Sequence, residues 1–419
     1  MIRGLIKAGA RRTRRGYALY SLVMSVTLLV SLLGLSAFTV LRIERRSNGR
    51  KHEMADARRY AQAAIEMGLL RIKNDPNWRT TYTSGIWESN RPIGDGTYTL
   101  EGVDTSDGNL ANSQLDPVVL IGTGRVGPVT QKFQVTMVLD PKGLSCLEVA
   151  AHAGLDVLFW GGTVDCDQIM SSNDNVYNSG GTVNSDVEAV NFITGVYNGT
   201  TDTGIDIREM PNPTTVFDYY IANGTAISYL SLPSEASFRK LENVVLRPSI
   251  TNPQGIYVIN CQGLEVRVQN CRIVGTLVLL DTHPNSQIGL SVNWEPAVGN
   301  YPALLVRGPI QLSCDGSELD EAAQGVNFNP ASAPYNGFSD LDIDDTYPDS
   351  IRGLVYASGD VTIANNPTLE GVLVIGNTLT ITDGNPTLNY LKTFLDNPPP
   401  GFNSGKMQIS PGSWQQKVN

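Results

Sequence analysis

Histidine is almost missing from this chain: His52, His152 and His283 are the only three in 419 residues, and none stands in a metal-binding or nucleophile motif. The phosphate-binding loop, the dinucleotide glycine fingerprint and GxSxG are also absent, so nucleotide and α/β-hydrolase chemistry have no signature here. No CxxC occurs, which speaks against a zinc or dithiol redox role. Acidic side chains are missing until Glu44, and proline is missing from Leu41 to Lys73.

What is present begins with charge. Arg3, Lys7, Arg11, Arg12, Arg14 and Arg15 run up to Gly16, and an uncharged, largely apolar stretch follows from Tyr17 to Val40. Those 24 residues, as a helix, reach about 36 Å, enough to cross a hydrocarbon core of about 30 Å. A cleaved secretory signal needs a shorter apolar region and a small-x-small cleavage site, whereas Leu35-Ser36-Ala37 offers a large residue first. A plain single-span anchor fits. So does a leader cut after Gly16, with the helix kept on a mature chain starting at Tyr17.

Beyond the apolar stretch, Met54, Ala57, Ala61, Ala64, Gly68 and Ile72 recur at helical spacing. Small residues dominate this stripe, so another element can pack close against it. A single helix from Tyr17 to Lys73 would be about 85 Å long. A break near Ser47-Asn48-Gly49 is the alternative. Gly96 to Val103, Val118 to Val126 and Lys132 to Leu139 read as three strands, and an antiparallel sheet laid on the helix would bury both stripes.

Arg14-Arg15-Gly16, Leu29-Val30-Ser31-Leu32-Leu33-Gly34-Leu35-Ser36-Ala37 and the alanine-rich Tyr60 to Leu69 resemble the amino-terminal region of PilX-type minor pilins. The resemblance covers about the first 75 residues. It implies cleavage by a prepilin peptidase between Gly16 and Tyr17, and assembly of the helix with other pilin or pseudopilin subunits. Most pilins carry glutamate at the fifth mature position, which here is Ser21. PilX-type subunits commonly lack it, so the departure bears more on a major-subunit role than on membership.

From Leu144 the pattern changes to short strand-like runs with Gly, Asn and Asp corners. Gly161-Gly162-Thr163-Val164-Asp165 returns as Gly180-Gly181-Thr182-Val183-Asn184, and Asn366-Pro367-Thr368-Leu369 as Asn385-Pro386-Thr387-Leu388, each nineteen residues later. A fixed period near twenty predicts a β-solenoid, with a β-sandwich as the alternative. Gly353-Leu354-Val355-Tyr356-Ala357-Ser358-Gly359-Asp360 and the terminal Pro398-Pro399-Pro400-Gly401-Phe402 are similar to uncharacterised bacterial solenoid domains carried behind PilX-like stems. The expected fold class is α+β: a long transmembrane helix with a small antiparallel pilin-like sheet, then a right-handed parallel β-helix with inserted loops. Its segments are a leader (1–16), a transmembrane helix (17–40), an amphipathic extension (41–75) and a small β domain (76–143). A solenoid (144–402) follows, with insertions at about 200–250 and 313–350, and then a frayed tail (403–419).

Residues 1 to 59 carry a net charge of +10 and the remainder −20, which suits a membrane-anchored acidic ectodomain and argues against nucleic acid as a partner. The short basic leader places the amino end in the cytoplasm and the rest outside a bacterial cytoplasmic membrane. Seven Lys and Arg between Arg42 and Arg59 blunt that charge rule. Cys146 with Cys166 and Cys261 with Cys271 are natural disulfide pairs in an oxidising compartment, with buried free thiols as the equal alternative; Cys314 has no evident partner. Asp340, Asp342, Asp344, Asp345 and Asp349 resemble the start of an EF-hand. However, Asp345 stands where glycine belongs and Ile351 where the closing glutamate belongs, so a solvated loop or weak calcium binding is expected. Asp165 and Asp167 read as a solenoid corner, Trp160 as core, and Trp294-Glu295-Pro296 with Tyr301 as a loop packed on the solenoid or open to a ligand.

The reading is therefore structural. A pilin-like subunit of a type IV pilus or secretion pseudopilus presents an extracytoplasmic solenoid, with no enzymatic activity and no cofactor. The alternatives are a surface adhesin for glycans or proteins and, behind it, a β-helix polysaccharide lyase or hydrolase.

Overall fold

The computed structural model describes residues 14–75, 77–113, 116–140, 142–235 and 237–417. Most of the basic leader, including Arg3, Lys7, Arg11 and Arg12, lies outside them. The chain forms two compact units, one of residues 1–138 with 409–419 and the other of residues 139–408. The second is thus inserted into the chain of the first.

In the first unit, α1 (Arg14–Asn74) is one helix of 61 residues, about 90 Å long, and it runs unbroken through Ser47-Asn48-Gly49. Its outer part lies on an antiparallel meander of β1 (Gly85–Ile93), β2 (Gly96–Asp104), β3 (Val118–Val126) and β4 (Val129–Leu139). Ala57, Ala61, Ala64 and Ile65 are fully buried against it. Helix and sheet can approach because both surfaces lack side chains at the crossing. A Cβ on Gly122 would stand 2.0 Å from the carbonyl oxygen of Ala61, and one on Gly124 2.0 Å from that of Ala57. On the helix side, Gly68 meets the Leu100 and Leu120 methyls. The three strands expected from alternation are β2, β3 and β4. The strand β1 is additional: its register shifts around Glu88, and Asn90 has φ +48°, so its sequence does not alternate cleanly. The carboxyl end is not a frayed tail. Gln415–Lys417 pairs antiparallel with β4, and the Ser413 hydroxyl accepts from the Thr136 N–H at 3.2 Å.

The second unit is a parallel β-solenoid with three ladders of strands. Both nineteen-residue repeats are vertical neighbours in it: Thr182, Val183 and Asn184 pair with Thr163, Val164 and Asp165, and Thr387 and Leu388 with Thr368 and Leu369. The stacking order differs from the chain order, however. The first coil (Ala151–Cys166) lies in the middle of the stack. Two further coils build outward to Thr201–Thr203. The chain then passes through α2 (Pro213–Asn223), restarts at the far end with Thr225–Ile227, and works back. Its last coil closes on the first: Leu373 to Ile375 pair with Ala151 to Ala153, and Leu379 to Ile381 with Val157 to Phe159.

One ladder is apolar on both sides. In Thr276–Leu280 and Thr368–Ile375, Leu277, Leu279, Leu373 and Ile375 face the interior. Val278, Leu280, Val372 and Val374 lie in a second cluster with Val216, Phe217 and Tyr220 of α2. Burial on both faces explains the unbroken apolar runs of these strands. Farther along the ladder, the register Ala151↔Met170 and Val187↔Met170 brings His152, Ser171 and Glu188 side by side. There Arg208 holds the crossover down: its Nε donates to Glu188 at 2.6 Å and its Nη1 to Glu148 at 2.8 Å.

The segment expected as an insertion at 200–250 is therefore half crossover and half coil, because Phe238–Glu242 and Val245–Leu246 pair in the stack. The second irregular stretch leaves the stack after Cys314 and rejoins it at Ser350–Ala357, carrying the short pair Leu319–Asp320 and Thr346–Tyr347.

Two outcomes test this packing. Gly124→Val should force helix and sheet apart at a cost of about 1–3 kcal/mol or more, seen as a lower melting transition of the first unit and faster proteolysis near Ala57. Arg208→Ala leaves Glu188 buried without its cation and should cost the solenoid about 3 kcal/mol in chemical denaturation, with Glu188→Ala restoring part of it.

Candidate functional site

The amino-terminal half of α1 is the most unusual surface of the chain. Every large apolar side chain described from Tyr17 to Ile43 is 53% exposed or more, and no ionisable side chain other than two tyrosines occurs between Tyr17 and Leu41. Its hydroxyls are turned onto the helix itself. Ser25 donates to the Ser21 carbonyl at 2.7 Å, Thr27 to Val23 at 2.9 Å, Ser31 to Thr27 at 2.7 Å and Thr39 to Ser36 at 2.7 Å. Self-satisfied hydroxyls let a polar-containing segment enter an apolar medium. Among the described residues this is the one helix long and apolar enough to cross a membrane. Gly16 and Tyr17 lie within it, Tyr17 at 78% exposure. Arg42 begins the polar part, and farther on Arg71 pairs with the buried Glu88, which also accepts from the Tyr98 hydroxyl.

The candidate groups in the solenoid are placed quite differently. His152 is fully buried, burial pushes its pKa down to about 3, and both ring nitrogens lack partners. His283 is spent on a turn, its Nδ1 accepting from the Asn285 N–H at 3.1 Å. All five cysteines are free thiols, so neither expected disulfide is formed. Cys146 belongs to the outer apolar cluster and Cys166 borders the interior one, so a wall of the solenoid separates them. Cys261 and Cys271 both face the interior but from different walls of their coil: Cys261 follows Ile256–Asn260, and Cys271 lies within Val266–Val274. Burial pushes Cys166 up to about 11 and Cys261 up to about 12, so both stay protonated at neutral pH.

Asp165 lies within a strand rather than at a corner and Asp167 just after it, and both tie coils together: Asp165 accepts from Asn184 Nδ2 at 2.6 Å and Asp167 from the Tyr390 N–H at 2.7 Å. Trp160 is not core; it follows its strand at a corner and stands 64% exposed. Trp294 lies in a strand rather than a loop, buried, with Nε1 donating to the Gly275 carbonyl at 3.0 Å. Tyr301 is buried too, its hydroxyl bonded to that of Tyr219 at 2.8 Å.

The acidic loop holds itself together. Asn329 Nδ2 donates to Asp340 at 3.2 Å and to Asp345 at 2.9 Å, and Ile351, at the EF-hand closing position, is fully buried in the solenoid. Glu321, which sequence spacing did not connect to this loop, is fully buried and accepts from Phe328 N–H and the Tyr347 hydroxyl. Asp349 is separate from these acids. It accepts the Val292 and Gly316 N–H groups, both at 2.9 Å, and burial pushes its pKa up to about 6.

No family model and no curated protein matches this chain. Among solved structures it is similar to the competence-associated pilin ComZ from Thermus thermophilus, at 11% identity and a TM-score of 0.34 over 88% of this chain and 98% of that one. It is also similar to an ice binding protein from an Antarctic biological consortium, at 14% identity and a TM-score of 0.24 over 60% and 92%. Both scores are low, and fold and site stand on this chain's own geometry.

Asp349 sets a pH dependence. Its folded pKa is above the unfolded value, so the folded chain holds the extra proton between about pH 4 and 6 and stability falls as pH rises through that window. Asp342 and Asp345 are raised as well, Asp342 chiefly because its protonated carboxyl donates a hydrogen bond to Asp344 and Asp345 chiefly by burial, and both act in the same direction. Asp349→Asn should flatten the slope of unfolding free energy against pH in this range, measured by denaturant titration at stepped pH.

Proposed function

We propose that this chain is a pilin-like structural subunit, anchored in a bacterial cytoplasmic membrane by α1, that holds an acidic β-solenoid on the outer side. In this reading the basic leader stays in the cytoplasm, a prepilin peptidase cuts between Gly16 and Tyr17, and the bare apolar half of α1 assembles with other pilin or pseudopilin subunits. The observation that carries it is the division of one helix. From Tyr17 to Leu41 it is apolar, exposed and free of charge, and its second half is bound through Ala57, Ala61 and Ala64 to a small antiparallel sheet. Such a helix buries its outer face only in lipid or against copies of similar helices. The PilX-type assignment rests on the sequence resemblance of the first 75 residues, and Ser21 in place of glutamate suits a minor subunit.

A second reading, an adhesin for surface glycans or proteins, is supported by exposed apolar side chains on the first and third coils of the solenoid. There Trp160, Phe192 and Val196 are exposed at 64, 47 and 80%, and Phe192 packs edge-on against Tyr177. The two readings are compatible, since a displayed domain needs a carrier. A β-helix hydrolase or lyase is the weakest reading, because the chain's buried histidine and thiols are held neutral and Asp165 and Asp167 are engaged in the stack.

Intact-mass analysis of the membrane fraction from a host with an active prepilin peptidase tests the first reading. The wild-type chain should lack residues 1–16, and Gly16→Leu should retain them. A wild-type chain that keeps its leader there would reduce α1 to a plain anchor.

A further inference from the structure

The loop between β2 and β3 gathers Asp104, Asp107 and Asp116 so that one carboxylate oxygen of each lies within 4.8 Å of the other two. Exposed acidic clusters are common on protein surfaces, but Asp104 sets this one apart. It ends β2 at only 4% exposure. Its Oδ1 accepts the Ser106 N–H at 2.7 Å, whereas the buried Oδ2 has no hydrogen-bond partner. A carboxylate oxygen taken out of water without a donor is strongly unfavourable unless positive charge reaches it.

A single base lies nearby. Arg79 donates to the main-chain carbonyls of Leu110 at 3.3 Å and Asp116 at 2.6 Å, and its guanidinium lies 4.6 Å from the Trp78 ring. It clamps the loop backbone and is electrostatically coupled to Asp104 and Asp116. One guanidinium against three carboxylates leaves two negative charges. The loop is otherwise prepared: Asp107 accepts the Asn109 N–H at 2.8 Å and a hydrogen bond from Asn112 Nδ2, which orients its carboxylate.

We propose that Asp104, Asp107 and Asp116 form a calcium site that locks the β2–β3 loop of the first unit. An all-oxygen donor set selects a hard cation, and a loop that mixes buried and exposed ligands suits the adaptable six- to eight-fold shell of calcium better than the strict octahedron of magnesium. Water completes the shell. Affinity is expected at about 10⁻⁴ to 10⁻³ M, the range of extracellular calcium modules. The other acidic group, Glu321, Asp340 and Asp342, lacks this feature, since Glu321 is saturated by Phe328, Asp345 and Tyr347.

The test uses the full chain in detergent, titrated with calcium by calorimetry and with terbium by luminescence sensitised through Trp78. One calcium should bind and raise the melting temperature of the first unit. Asp107→Asn, at an exposed position that spares the fold, should weaken binding at least tenfold. Asp104→Asn should abolish binding. Asp342→Asn should keep the site. Absence of binding at millimolar calcium, undiminished binding in both loop variants, or its loss in Asp342→Asn would each overturn the proposal.

Discussion

The structure of the first unit depends on two backbones coming within reach of each other without side chains between them. Along α1, Ala57, Ala61, Ala64 and Gly68 present a shallow groove, and along β3, Gly122 and Gly124 present bare peptide to it. The gain is dispersion over a continuous strip, which fades steeply if even one methyl is interposed. The same contact keeps the helix from being merely a hydrophobic tail. It converts a rod that favours an apolar medium into the spine of a folded unit, with Arg71 and the buried Glu88 fixing its outer end.

The solenoid solves a different problem. Its interior is lined by apolar residues from most of its strands, and one ladder is sealed a second time by α2 and its neighbours. Where that ladder turns polar, at His152, Ser171 and Glu188, Arg208 replaces apolar packing with paired charge. The crossover segment is thus a cover as well as a connection, apolar where the wall is apolar and ionic where it is not.

Much of this was legible from residue order. The apolar rod, the small-residue stripe, three of the four meander strands and the two nineteen-residue repeats follow from spacing, because each reflects a local period that the fold keeps. What could not be read was set by distance along the chain. Nothing in residues 151–166 signals that their second neighbour is 368–390, and nothing in Gln415–Lys417 signals a place beside β4. Cys146 and Cys166 have the spacing of stacked neighbours, yet the chain puts a wall between them. At the loop after β2 the sequence Asp104 to Asp116 is an ordinary polar run; only the burial of Asp104 singles it out.

The order in which the coils stack bears on how the chain is made. The earliest-synthesised coil keeps an open parallel edge until residues near 373–381 arrive, and β4 keeps one until Gln415–Lys417 arrive. Both units are therefore finished by their latest residues. A chain made amino end first therefore carries unpaired strand edges until residues 373–381, and then 415–417, are added. Such edges pair with other chains and open an incomplete molecule to aggregation, and completion of synthesis becomes the event that ends that exposure.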